Sequence, residues 1–217
     1  MEINKLALQN FYESHVENYL ARRNKGKSAT WDEDYKWHFL PEANKALSIF
    51  NTVDSSNIKD VLSVINKYKS NFAHWIDMDD LNLLIEKPNG YQIVREVWGK
   101  QPDNIGQAVD AANNMSNFML NKKFSPSTYG YILAAQNCDR FAIYRDSLLK
   151  KLADINHIEK SGSLTQGEKY QLLNDSASYI GELMGNEKQK YADLEWYTAL
   201  NGQDFLYVTI QYQLDDR

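Results

Sequence analysis

The sequence predicts a mainly α, irregular multi-helix domain, and three observations carry the prediction. Apolar residues recur at the three- and four-residue spacing of a buried helix face through most of the chain. Turn signals are sparse, with 10 glycines and 4 prolines in 217 residues. Strand-like patterning is confined to one segment near the C-terminus. A hydrophobic fraction of 43%, beside 12% aromatic and 24% charged residues, is that of a chain able to build a core.

Taken in order, Leu6, Phe11, Val16, Tyr19 and Leu20 fall near one face of a first helix, closed by the basic stretch Arg22–Lys27 around Gly26. A second helical region covers Trp31 to Phe50, where Asp32, Glu33 and Asp34 suit the positive end of a helix dipole. Pro41 is expected to split it or start it again. Asp54-Ser55-Ser56 is a capping cluster ahead of the stripe Ile58, Val61, Leu62, Ile65 and Tyr68. Phe72 to Glu86 reads as a helix stopped by Lys87-Pro88-Asn89-Gly90. Tyr91 to Trp98 suits a strand by composition and a helix by spacing, and the spacing of Ile93, Val94, Val97 and Trp98 favours helix.

Pro102-Asp103 opens a long helix carrying Ile105, Val109, Ala112, Met115, Phe118 and Met119. Ser125-Pro126 starts the next, with a capping hydroxyl and a proline at the first helical position. After the turn Asn137-Cys138-Asp139 comes a helix from about Ile143 to Ile155, and Lys160-Ser161-Gly162-Ser163 is the best linker. That linker divides a helical domain, 1–160, from a C-terminal helical segment, 161–217. Beyond it, Tyr170, Leu173, Ala177, Ile180 and Leu183 mark a helix. Phe205 to Leu214 alternates with β-formers on both faces and suits a short C-terminal strand. Trp37, Phe50, Leu62, Ile65, Trp75, Leu84, Phe118, Leu133, Phe141, Tyr144 and Leu148 are the predicted core.

Chemical motifs are few. No phosphate-cradling loop and no dinucleotide fingerprint is present, so no cofactor and no nucleotide turnover are expected. His74 with Asp77, Asp79 and Asp80 is the nearest approach to a metal site, and an acidic exposed helix face explains the carboxylates better. His38, between Trp37 and Phe39, reads as a packed core histidine. Cys138, the one cysteine, reads as core packing. Catalytic and metal-ligating residues are therefore predicted to be none. Apolar runs are too short to span a membrane, and Met1-Glu2-Ile3-Asn4-Lys5 lacks the features of a signal peptide, which predicts a cytoplasmic protein.

Two basic clusters stand out against a net charge of −5. The first is Arg22, Arg23, Lys25 and Lys27, followed by Trp31. Cations beside an indole can hold a phosphate backbone and stack on a base, although cations ending a helix also offset its dipole. The second is Lys122-Lys123 before the Ser125 cap, with Arg140, Arg145, Lys150 and Lys151 beyond. The candidate nucleic-acid contacts are Arg22, Arg23, Lys25, Lys27, Trp31, Lys122, Lys123 and Arg145.

Two segments carry a family resemblance. Ser125-Pro126-Ser127-Thr128 through Ile132-Leu133-Ala134 to Asp139-Arg140-Phe141-Ala142-Ile143-Tyr144 resembles the region preceding the motor in McrB-type AAA+ restriction NTPases. Leu200-Asn201-Gly202-Gln203-Asp204-Phe205-Leu206-Tyr207 is similar to a short element just before their nucleotide-binding module. The resemblance implies a non-catalytic DNA-recognition module, with a GTP- or ATP-driven motor in the same polypeptide beyond Arg217 and a nuclease subunit reached through it. Phe141, Ile143 and Tyr144 are implied core anchors, and Arg140 a brace for the turn. A helical protein-binding adaptor of a defence system is the alternative, and it fits the acidic balance more simply.

Overall fold

The computed structural model describes residues 2–26, 35–67, 75–191 and 194–212, apart from the side chains of residues 24–26 and 75. Ten α-helices occur among them: α1 (Lys5–Gly26), α2 (Tyr35–Leu47), α3 (Ile58–Lys67), α4 (Trp75–Glu86), α5 (Gly90–Val97), α6 (Ile105–Leu120), α7 (Pro126–Gln136), α8 (Leu149–Ile155), α9 (Gln166–Asn186) and α10 (Thr198–Gln211). No strand occurs among the described residues.

Helix α9 is the axis of the molecule, packing against α10, α6, α1, α8 and α7. Its start is fixed by a capping box: the Thr165 hydroxyl accepts from the Glu168 amide at 3.1 Å, and the Glu168 carboxylate accepts from the Thr165 amide at 2.8 Å. Two glycines set how closely its neighbours approach. A Cβ on Gly167 would lie 1.9 Å from the Gly106 carbonyl of α6, and one on Gly202 of α10 would lie 1.8 Å from the Ala177 carbonyl. Neither position has room for a side chain.

A single hydrophobic core runs from Leu8 on α1 to Val208 on α10. Helices on both sides of residues 160–163 contribute to it, and the connection itself is a short 3₁₀ turn at Ser161–Ser163. Trp37, Leu62, Ile65, Leu84, Leu133, Phe141, Tyr144 and Leu148 are buried as the apolar periodicity predicts. Phe50 is half-buried, and the Trp75 side chain lies outside the described residues.

Several expectations are corrected. The segment expected as a strand is the helix α10, buried over Ala199–Leu206 and at Val208 and Thr209. A helix enclosed on nearly every side needs no polar face, so its pattern loses the period that separates helix from strand. Pro41 lies inside α2 without dividing it, because Trp37 and Leu40 before it and Ala43 and Leu47 after it are buried on one face. Ile143 precedes rather than opens a helix: a 3₁₀ turn at Asp146–Leu148 leads into α8.

Phe118 is 90% exposed, since α6 buries Ile105, Val109, Ala112 and Ser116 and turns the residue two places further on outward. Leu6 is likewise 70% exposed, and His38, predicted in the core, faces solvent beside buried Trp37. The Ser125 hydroxyl, predicted to cap α7, donates instead to the Asp77 carboxylate at 2.9 Å.

Candidate functional site

The end of α1, the start of α2 and the middle of α10 meet around a buried carboxylate. Asp204 Oδ1 lies 3.1 Å from Lys36 Nζ, and both side chains are almost fully enclosed. Asp204 Oδ2 accepts a hydrogen bond from the Tyr19 hydroxyl at 2.8 Å and lies 3.6 Å from Arg23 Nη1. Arg23 also donates to the Tyr19 oxygen at 3.2 Å, and its guanidinium sits 5.0 Å from the Trp37 ring centroid. Trp37 Nε1 completes the arrangement by donating to Asn201 at 3.0 Å. Burial, then the charge of Asp204, raises the Tyr19 hydroxyl well above its ordinary range, so it remains a neutral donor.

Arg23 is therefore a correction to the predicted contacts. It is 5% exposed and is used inside the protein, where its charge meets Asp204. Its neighbour Arg22 faces solvent, as a residue one position along a helix must when the other points inward.

Above this junction α10 and the residue that ends it carry a pair of tyrosines. The rings of Tyr207 and Tyr212 are 6.1 Å apart between centroids, in an edge-to-face arrangement. The Arg22 guanidinium stands 5.0 Å from the Tyr212 ring, and that of Arg145 stands 5.9 Å from the Tyr207 ring. Buried Lys36 is 4.8 Å from the same Tyr207 ring. One cation from each predicted cluster thus converges on the C-terminal half of one helix. Such a surface offers charge for phosphate and ring faces for bases.

The other predicted residues do not join it. Lys122, in the loop between α6 and α7, is ion-paired with Asp80 of α4 at 2.5 Å, while Lys123 faces solvent. Lys27 and Trp31 and the side chain of Lys25 lie outside the described residues. His74 lies outside them too. Asp77 and Asp80, expected on an exposed face, are buried: Thr128 Oγ1 is 3.2 Å from Asp77 Oδ1 and 2.9 Å from Asp80 Oδ2. Burial raises the Asp80 carboxyl above its usual range, with Lys122 and Thr128 opposing the shift. No group of three or more metal-ligating side chains occurs among the described residues. Cys138 is buried, and that burial pushes its thiol up to about 12.

The two resembling segments meet in space. The Asp139 carboxylate accepts from the Thr198 amide at 2.7 Å, the Asp139 carbonyl from Ala199 at 3.0 Å, and the Cys138 carbonyl from Leu200 at 3.1 Å. This turn satisfies the N–H groups that the start of α10 leaves open. Sequence reading missed this cap, the buried Lys36–Asp204 pair and the tyrosine surface, all of which join residues far apart in the chain.

Comparison with known proteins finds no matching family model, no significant match among curated proteins and none among solved structures. No helix of the described residues is long and apolar enough to cross a membrane.

Proposed function

We propose that this chain is a non-catalytic nucleic-acid recognition module of a bacterial, modification-dependent restriction or antiviral defence NTPase, acting in the cytoplasm. The observation that carries the reading is the convergence of Arg22 and Arg145 on the Tyr207–Tyr212 pair. It also draws support from the contact between the Asp139 turn and α10, which makes the two McrB-like segments one structural unit. In this reading DNA carrying a modified base is bound by α10 and its flanking arginines. An AAA+ motor in the same polypeptide beyond Arg217 and a nuclease subunit recruited through it supply the catalysis.

The test is fluorescence anisotropy on duplex, single-stranded and methylated DNA across a salt series. Backbone binding releases counterions, so affinity falls with rising salt, with a slope near 0.9 per phosphate contact on duplex. An Arg22→Ala/Arg145→Ala variant binds all sequences more weakly and with a flatter slope. Absence of binding to all three DNAs at low salt favours the second reading, a protein-binding adaptor of the same kind of system. The exposed Phe118 side chain is the observation that speaks for it.

A further inference from the structure

A cleft of about 580 Å³ lies away from the tyrosine surface, near the opposite end of α10. Its walls come from residues 2–5, the Pro102–Asn104 turn, the Asp139-Arg140 turn, the middle of α9 and Thr198. The volume falls in the range of small-molecule sites. Charges of both signs line it, carboxylates outnumbering cations, and Arg140 and Asp175 of α9 are among them. Among the described residues neither is ion-paired with an opposite charge.

Each charged group is held in place by a glutamine. Arg140 Nη2 donates to the Gln101 side-chain oxygen. Gln171 Nε2 donates to the neighbouring Pro102 carbonyl at 2.9 Å and to Asp175 Oδ1 at 2.7 Å, while its oxygen accepts from the Gly106 amide at 2.7 Å. Gln171 thus ties Asp175 to Pro102, the residue that follows the Gln101 partner of Arg140 in the chain. Asp139, also in the wall, is already used by the cap on α10, and Lys5 rests 5.6 Å from the Tyr179 ring. Burial pushes the Asp175 carboxyl up to about 6, against the hydrogen bond from Gln171 and the positive charge of the chain's N-terminus, with Asp103 adding to the rise. A half-buried carboxylate whose desolvation outweighs these opposing interactions weakens the fold, and groups so perturbed concentrate at functional sites.

We infer that the cleft binds a small zwitterion of the α-amino acid class, its ammonium group on Asp175 and its carboxylate on Arg140. The site is independent of the nucleic-acid reading and shares no side chain with the tyrosine surface.

The test is calorimetric titration of the intact chain with each of the twenty protein amino acids, and with methylamine and acetate as half-ligands. At least one amino acid binds saturably at one site per chain, and both half-ligands bind at least tenfold more weakly. Asp175→Asn and Arg140→Gln each lower the affinity at least tenfold, whereas Arg140→Lys retains part of it. Asp175→Asn removes a destabilising charge, so loss of binding in that variant is not loss of folding; a circular dichroism melt verifies this. The inference is overturned if no amino acid binds, if binding is indifferent to both substitutions, or if methylamine binds as well as its parent amino acid.

Discussion

The junction of α1, α2 and α10 and the junction of α4, α7 and the α6–α7 loop both hold a buried carboxylate against a lysine, and they do so differently. Asp204 and Lys36 are both enclosed, with side-chain exposures of 0% and 1%. Asp80 is equally hidden, but its partner Lys122 remains 42% exposed. In the first, water can solvate neither charge, so each depends on the other. In the second, the lysine has solvent as an alternative partner. Cation clusters read from sequence therefore divide into charges used inside the fold and charges left outside, and binding can draw only on the second kind.

The sharpest way to break the comparison is to remove one partner from each junction. Asp204→Ala leaves Lys36 and Arg23 without their buried carboxylate and costs about 3–5 kcal/mol, measured by urea denaturation. A second carboxylate gives the opposite sign. Asp175 has a folded pKa raised above its unfolded value, so its stabilising contribution is complete below about pH 4 and is lost as pH rises through about 6. Asp175→Asn consequently raises stability at pH 7 by roughly 1–3 kcal/mol, and the gain disappears in melts at about pH 4. Lys122→Ala costs about 1–3 kcal/mol, less than Asp204→Ala, because Asp80 is left buried but keeps the Thr128 hydroxyl as a partner. Phe118→Ala changes stability by less than about 0.5 kcal/mol, the size expected of an exposed side chain. A larger loss there would show that the phenylalanine is packed.

How far the sequence discloses this arrangement depends on whether the information is local. The stripe Ile58, Val61, Leu62 and Ile65 is legible because α3 exposes its other face, so polar residues mark the period. In α10 polar residues such as Asn201, Gln203 and Asp204 are themselves buried, and the helix period vanishes into an apparent alternation. Phe118 misleads for a different reason, since a large apolar residue on a helix is no guarantee of a covering neighbour. The candidate site was half legible. Charge alone marks Arg22 and Arg145, but the pattern around Tyr207 and Tyr212 reads as a strand, and the inward turn of Arg23 depends on Asp204 at the far end of the chain.

The central claim is that adjacent arginines on α1 have separate tasks, Arg23 holding the fold and Arg22 meeting nucleic acid. Its most direct measurement is a side-by-side comparison of Arg22→Ala and Arg23→Ala, with urea stability and low-salt DNA affinity determined on the same preparations. The account predicts that Arg22→Ala keeps stability within about 0.5 kcal/mol while weakening binding, and that Arg23→Ala loses about 3 kcal/mol or more. An Arg23→Ala protein as stable as the wild type but impaired in DNA binding would contradict it.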